Sequence, residues 1–188
     1  MLELQLSGDP EQVRKLVQHN DRRVAELRRQ LLADYFFIAF YWLTFIGLSV
    51  AIARRGGFVN EAVGLLAAFA ASITALLDAI ENLRTRGMLA LTRPSDQVRR
   101  QPVVHLRRTA LTKWGASAVT LAILAVLFLR GDGRVVWLGV AFLVVAALGA
   151  LGLFWNRLIV PYFLGFFALG AVLAVTLTFF AAGVMERL

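Results

Sequence analysis

The stretch EAVGLLAAFAASITALLDAIEN, residues 61–82, decides the fold of this chain. A helix needs about 20 residues, at a rise of about 1.5 Å each, to cross the hydrocarbon of a bilayer, and this run is long and apolar enough. On a helix its small residues share one face, whereas leucine, isoleucine and phenylalanine cover the other. A small-residue face lets a second helix approach closely in lipid. The predicted packing face consists of Gly64, Ala68, Ala71 and Ala75.

The composition of the whole chain is that of a membrane protein. Of its 188 residues, 59% are hydrophobic and only 17% are charged, which lies outside the range of soluble globular domains. There is no cysteine, so disulfides, thiolate metal sites and cysteine nucleophiles are excluded. We therefore expect an all-α, polytopic membrane protein, with no room for a soluble catalytic domain beside its spans.

Apolar runs separated by turn residues predict about five transmembrane helices. Their predicted ranges are 33–53, 58–83, 113–129, 135–155 and 158–184. The chain then divides into a cytoplasmic amphipathic segment (1–32), a transmembrane hairpin (33–83), a basic cytoplasmic loop (84–112) and a three-span region (113–188). Because the connection at 156–157 is very short, residues 135–184 have an alternative interpretation as one re-entrant element.

The N-terminal segment predicts an amphipathic helix. Asp9 fits its N-cap, Pro10 the first helical position, and Gln12 the third, from which it reaches back. Apolar residues then recur at helical spacing between basic ones. Two interpretations stay open. The helix lies on the membrane surface, or it forms a short coiled coil, for which two heptads are too few to decide.

Basic residues predict the orientation in the membrane. With the N-terminus inside, fifteen of the 20 Lys and Arg residues fall on the cytoplasmic side and five on the other. The positive-inside rule therefore predicts a cytoplasmic N-terminus in a bacterial inner membrane. The net charge of +8 comes without a nucleic-acid motif, so we expect anionic lipid headgroups rather than nucleic acid as its partner. The residues predicted to face lipid or a soluble partner include Arg84, Arg86, Arg99, Arg100, Arg107 and Arg108.

A polar cluster is predicted at the cytoplasmic boundary of the first two spans. Asp34 opens the first span on that side, and residues 78–82 close the second on the same side. Adjacent antiparallel helices place these side chains at similar depth. Carboxylate and amide oxygens suit a divalent cation, a proton site or an arginine, and the identity of any metal stays open. The predicted cluster consists of Asp34, Tyr41, Asp78, Glu81 and Asn82.

Two interpretations of this cluster follow: a structural network with arginines such as Arg84, which lies one turn from Glu81, or an ion or proton site. Sequence motifs for haem, zinc, serine hydrolysis and phosphate loops are absent, so we expect no cofactor. The sequence favours a non-enzymatic membrane subunit or scaffold, present as a homo-oligomer or within a complex, that binds partners through small-residue helix faces. The alternative is a small cation or proton channel or an ion-coupled carrier. An enzyme acting on a lipid headgroup through the same acids has the least support.

Overall fold

The structure, a computed structural model, describes residues 9–17, 21–54, 57–90, 100–130, 136–155 and 158–181. These residues are helical apart from a few turn residues at helix ends and contain no strand, which confirms the all-helical fold class. The helices are α1 (Pro10–Val17), α2 (Asp21–Ala53), α3 (Gly57–Ala90), α4 (Arg100–Leu129), α5 (Val136–Gly152) and α6 (Ile159–Ala181).

Three helices are long and apolar enough to cross a membrane, which supports an integral membrane protein. Their candidate spans are Arg22–Ala51, Phe58–Ala90 and Pro102–Leu129. Two further apolar helical stretches, Val136–Gly152 and Ile159–Val172, are shorter. Because length and composition identify only three spans among the described residues, the count of five stays a prediction.

The helices α3 and α4 extend further than the apolar runs predict. Residues 84–90 continue α3 and Arg100 begins α4, so the predicted loop 84–112 is helical at both ends; residues 91–99 lie outside the described part. Pro102 falls in the first turn of α4, where its missing N–H removes no helical hydrogen bond. The helices α2, α3 and α4 have 33, 34 and 30 residues. Each is roughly 45–50 Å long, against about 30 Å of hydrocarbon.

The described residues fall into two compact units, the first formed by residues 1–40 and 73–113. In α1, Asp9 caps the helix by accepting a hydrogen bond of 2.9 Å from the backbone N–H of Glu11. Arg28 of α2 donates to the carbonyl oxygen of Leu89 in α3 at 3.4 Å. Apolar residues of the N-terminal segment are buried here, and both interpretations of the segment, a helix on the membrane surface and a short coiled coil, stay predictions. The apolar core consists of Val13, Val24, Leu27, Leu31, Met88, Leu89, Val103 and Leu106.

The second unit is formed by residues 41–72 and 114–188, and small residues bring its helices together. A Cβ added to Gly64 would lie 2.6 Å from the Cβ of Ala53 and 2.8 Å from the carbonyl oxygen of Ser49, so α3 and α2 touch at this point. Gly149 of α5 makes the same room for the ring of Tyr162 in α6, which would lie 2.7 Å from an added Cβ. These contacts use glycine in the way that helix packing in lipid favours.

Candidate functional site

One buried face of α3 carries the polar side chains of the first unit. Asp78 is 7% exposed, and Glu81, Asn82 and Thr85 are fully buried. The four residues fall at helical spacing on one side of α3, whereas Leu83 on another side is 60% exposed. The apolar side chains that a lipid-facing surface needs are therefore turned outward, and the polar ones are turned into the protein.

Lys113 of α4 is the basic partner of this face. Its Nζ lies 3.0 Å from Asp78 Oδ1 and 2.6 Å from Glu81 Oε2. All three side chains are at least nine-tenths buried. Removing a charge from water is costly unless an opposite charge compensates it. One ammonium shared by two carboxylates therefore connects α4 to α3 at two points of the α3 face.

Asp34 of α2 joins the group through an amide. Asn82 Nδ2 donates to Asp34 Oδ2 at 2.8 Å, and Asp34 is half-buried. Because Asn82 follows Glu81 directly in α3, the structure brings Asp34, Asp78, Glu81 and Asn82 into one group. We call these four residues and Lys113 the ion cluster.

Tyr41, predicted as a fifth member, lies in the second unit. Its ring centroid is 6.0 Å from that of Phe45 and 5.9 Å from that of Phe166. Phe45 and Phe166 lie edge to face at 5.8 Å. Such aromatic groups contribute packing energy beyond the area that they bury, so the described contacts give Tyr41 a place in the apolar core of its unit.

Arg84 has a different partner from the one predicted. Glu81 one turn earlier pairs with Lys113, and Arg84 Nη1 donates to the carbonyl oxygen of His105 at 2.9 Å and to the hydroxyl of Thr109. Thr109 also donates to that carbonyl at 2.8 Å. Arg84 therefore connects α3 to α4 through neutral acceptors, and Lys113 supplies the positive charge that the sequence analysis assigned to arginine.

The other predicted basic residues differ in what the structure describes. Arg86, Arg107 and Arg108 are exposed on α3 and α4. Arg99 and the side chain of Arg100 lie outside the described residues. The exposed arginines are thus free to meet a charged surface from outside the unit.

The small-residue face of α3 is buried with one change of register. Gly64, Ala71 and Ala75 are buried, whereas Ala68 is half-buried. Ala67 is fully buried in its place. Because an α-helix repeats every 3.6 residues, positions spaced by four rotate gradually around the helix. The buried face therefore passes through Ala67 rather than Ala68.

Four oxygens on this face have no hydrogen-bond partner among the described residues: Glu81 Oε1, Glu81 Oε2, Asn82 Oδ1 and Thr85 Oγ1. Glu81 Oε2 is in the ion pair with Lys113, which leaves three oxygens with no partner of either kind. All three residues are 0% exposed. Buried polar atoms are almost always paired, so each exception needs a physical explanation. In the described part of the chain, no three His, Asp or Glu side chains group as ligands for a metal ion.

Comparison with protein-family models, with curated proteins and with solved structures gives no match. Fold and site together describe a class, an all-helical protein with three helices long and apolar enough to cross a membrane and with a buried ion cluster. What it does has to be argued from its own residues.

Proposed function

We propose that this protein is a non-enzymatic subunit or scaffold of the bacterial inner membrane whose first unit binds anionic lipid headgroups from the cytoplasmic side. The observation that carries the proposal is the exposed charge of that unit. Among its described residues, ten basic side chains are exposed against three acidic ones. The basic ones are Arg14, Lys15, Arg22, Arg23, Arg28, Arg29, Arg84, Arg86, Arg107 and Arg108, and the acidic ones are Asp9, Glu11 and Glu26.

This surface fits a layer of lipid headgroups for two reasons. A basic side chain near an anionic membrane surface contributes about 1 kcal/mol, so the excess of basic residues favours attraction strongly. Nine of the ten are arginines, and the planar guanidinium group binds phosphate with two parallel hydrogen bonds. Eight of the ten lie on α2, α3 and α4, the helices that contain the candidate spans, and this connection would keep the basic side chains close to the headgroups.

The ion cluster supports a scaffold over a channel or carrier. Lys113 Nζ is within 3.0 Å of both Asp78 and Glu81 and is buried with them. A cation that is held between two helices in this way connects those helices. We therefore assign the Lys113 pairs to the stability of the first unit.

Partner binding is proposed at a different small-residue face from the one predicted. The Gly64 face is filled by α2 of the same chain. Gly47 of α2 is exposed, a Cβ added to it would meet nothing within 4 Å, and Ala51 four residues later is also exposed. Two small residues spaced by four allow close approach of another helix in lipid. This is the face that we propose for a partner span or a second copy of the chain.

Spin-labelled lipids test the headgroup proposal on the full chain in vesicles. We expect phosphatidylglycerol to associate with the protein more strongly than phosphatidylcholine, and 1 M salt to weaken this preference because it shortens the screening length to about 3 Å. Replacing Arg107 and Arg108 by glutamine should lower the preference several-fold. The matched double variant with lysine keeps the charge and should retain most of it.

Two outcomes would contradict the proposed function. One is the absence of a charge-dependent lipid preference: both lipids associate equally with the wild-type protein, or the glutamine and lysine variants lose the preference for phosphatidylglycerol equally. The other is cation or proton flux through the reconstituted protein that Asp78→Asn abolishes, because that result would establish the channel or carrier alternative.

A further inference from the structure

The charges of the three most buried residues of the ion cluster do not balance. Among the ion pairs of the described residues, Asp78 and Glu81 share one basic side chain, Lys113, and all three side chains are at least nine-tenths buried. With all three ionised, this buried trio carries one negative charge in excess. Asp34 adds a further carboxylate, but it is half-buried and accepts a hydrogen bond from Asn82. An excess charge at zero exposure requires a compensating group.

Next to this excess lie the three oxygens without partners. Glu81 Oε1 belongs to the carboxylate whose other oxygen meets Lys113. Asn82 Oδ1 is left over because the amide nitrogen donates to Asp34, which fixes the amide orientation. Thr85 Oγ1 lies one helical turn after Glu81, and residues at this spacing are neighbours on a helix surface.

We propose that the first unit binds one monovalent cation through Glu81 Oε1, Asn82 Oδ1 and Thr85 Oγ1, with Na⁺ as the ion to test. Carboxylate, amide carbonyl and hydroxyl oxygens are hard ligands, the type that hard cations take. One positive charge neutralises the excess of the buried trio, and a second charge would be matched only by the half-buried Asp34, which accepts the hydrogen bond from Asn82. A single ion also satisfies all three oxygens, which do not satisfy one another.

The cation has a structural role in this proposal. It would neutralise the face of α3 at the position where Lys113 leaves one carboxylate oxygen unpaired. The site does not depend on lipid binding by the exposed arginines, so this proposal and the proposed function can fail separately.

Thermal unfolding of the full chain in detergent, together with equilibrium binding of radioactive Na⁺, tests the site. Choline chloride keeps the ionic strength constant while NaCl or KCl is varied. We expect the unfolding temperature to rise with Na⁺ to a plateau, and about one Na⁺ to bind per chain. Thr85→Val removes one ligand without adding a charge and should weaken Na⁺ binding by about tenfold, the lower end of the effect seen around metal sites.

Thr112→Val is the matched control, because Thr112 is exposed on α4 and its hydroxyl donates to the carbonyl oxygen of Arg108. It should retain the full Na⁺ response. Without Na⁺, Thr85→Val should be at least as stable as the wild type, since it removes an unpaired buried hydroxyl. An unfolding temperature that is independent of Na⁺, or a full response in Thr85→Val, would overturn the site. Stability that responds to pH and not to Na⁺ would also overturn it, because a proton on Glu81 would then be the compensating group.

Discussion

At the scale of single residues, Lys113 determines whether the polar face of α3 can be buried at all. Its ammonium group is compact and has three donors, so it can lie between two carboxylates. With Nζ at 3.0 Å from Asp78 and 2.6 Å from Glu81, it compensates charges that neither lipid nor the protein interior would solvate. Removing it takes away the ammonium group that lies within 3.0 Å of both acids.

We therefore predict that Lys113→Met destabilises the protein by about 3–5 kcal/mol, the range for removing one partner of a buried ion pair. The measurement is unfolding in mixed detergent micelles followed by circular dichroism. Arg108→Met on the same helix is the control and should have little effect, since the Arg108 side chain is exposed. Equal midpoints for the two variants would show that the Lys113 pairs contribute no net stability.

At the scale of helices, the close approach of α2 and α3 depends on the absence of a side chain at Gly64. A Cβ there would lie 2.8 Å from a backbone oxygen, which cannot move independently of its helix. Gly47 on α2 has open space around its Cβ position. Replacement by alanine is therefore expected to affect stability in opposite directions at the two glycines.

Gly64→Ala should lower the unfolding temperature, because α2 and α3 must move apart. Gly47→Ala should leave it unchanged or raise it, since alanine in a helix interior is favoured by about 0.5–1 kcal/mol over glycine. In the same preparations, Gly47→Leu should keep the fold and lower the mass of the detergent-purified assembly, because its side chain blocks the proposed partner face. A Gly64→Ala variant as stable as the wild type would contradict the dependence of the α2–α3 contact on Gly64. An unchanged mass for Gly47→Leu would contradict the proposed partner face.

The helices show how far sequence patterns reach. Apolar runs located the cores of α2, α3 and α4, but they could not give the ends at Ala90 and Arg100. A helix continues beyond an apolar run when one of its faces packs into a core. Met88 and Leu89 of α3 and Leu106 of α4 lie outside the apolar runs, and they belong to the same apolar core as Val13 and Val24. Hydropathy averages over all faces and therefore misses such a continuation.

Averaging over all faces of a helix also explains which part of the ion cluster the sequence could predict. Asp34 and residues 78–82 stood out as acids in apolar surroundings. Lys113 begins the third predicted span and has no role in the predicted cluster, although its neighbours at helical spacing, Thr109, Ala110 and Ser117, are small or weakly polar and buried. Reading the face of α4 rather than the charge of its segment would have indicated a buried lysine. The unpaired oxygens depend on side-chain geometry, which spacing alone does not give.

At the scale of the whole molecule, the uneven charge of the chain predicts one orientation in the membrane, whereas the lengths of its helices leave two span counts. Fifteen of 20 basic residues fall on one side when the N-terminus is placed inside, and the positive-inside rule favours that orientation. Each of α2, α3 and α4 is long enough to cross completely. The shorter apolar stretches in α5 and α6 leave two outcomes for the end of the chain, five spans or three.

Single cysteines distinguish these topologies without background, since the chain contains none. We predict that cysteines replacing Gly57 and Gly131 react with a membrane-impermeant thiol reagent from outside intact cells, and that one replacing Ser95 reacts only after the membrane is opened. A cysteine replacing Asn156 should also be protected if α5 crosses the membrane. Its labelling from outside would reduce the count to three full spans. Labelling of Ser95 from outside, or its absence at Gly131, would reverse the orientation and place the basic surface on the side away from the anionic cytoplasmic leaflet. The lipid-binding proposal would then fail as well.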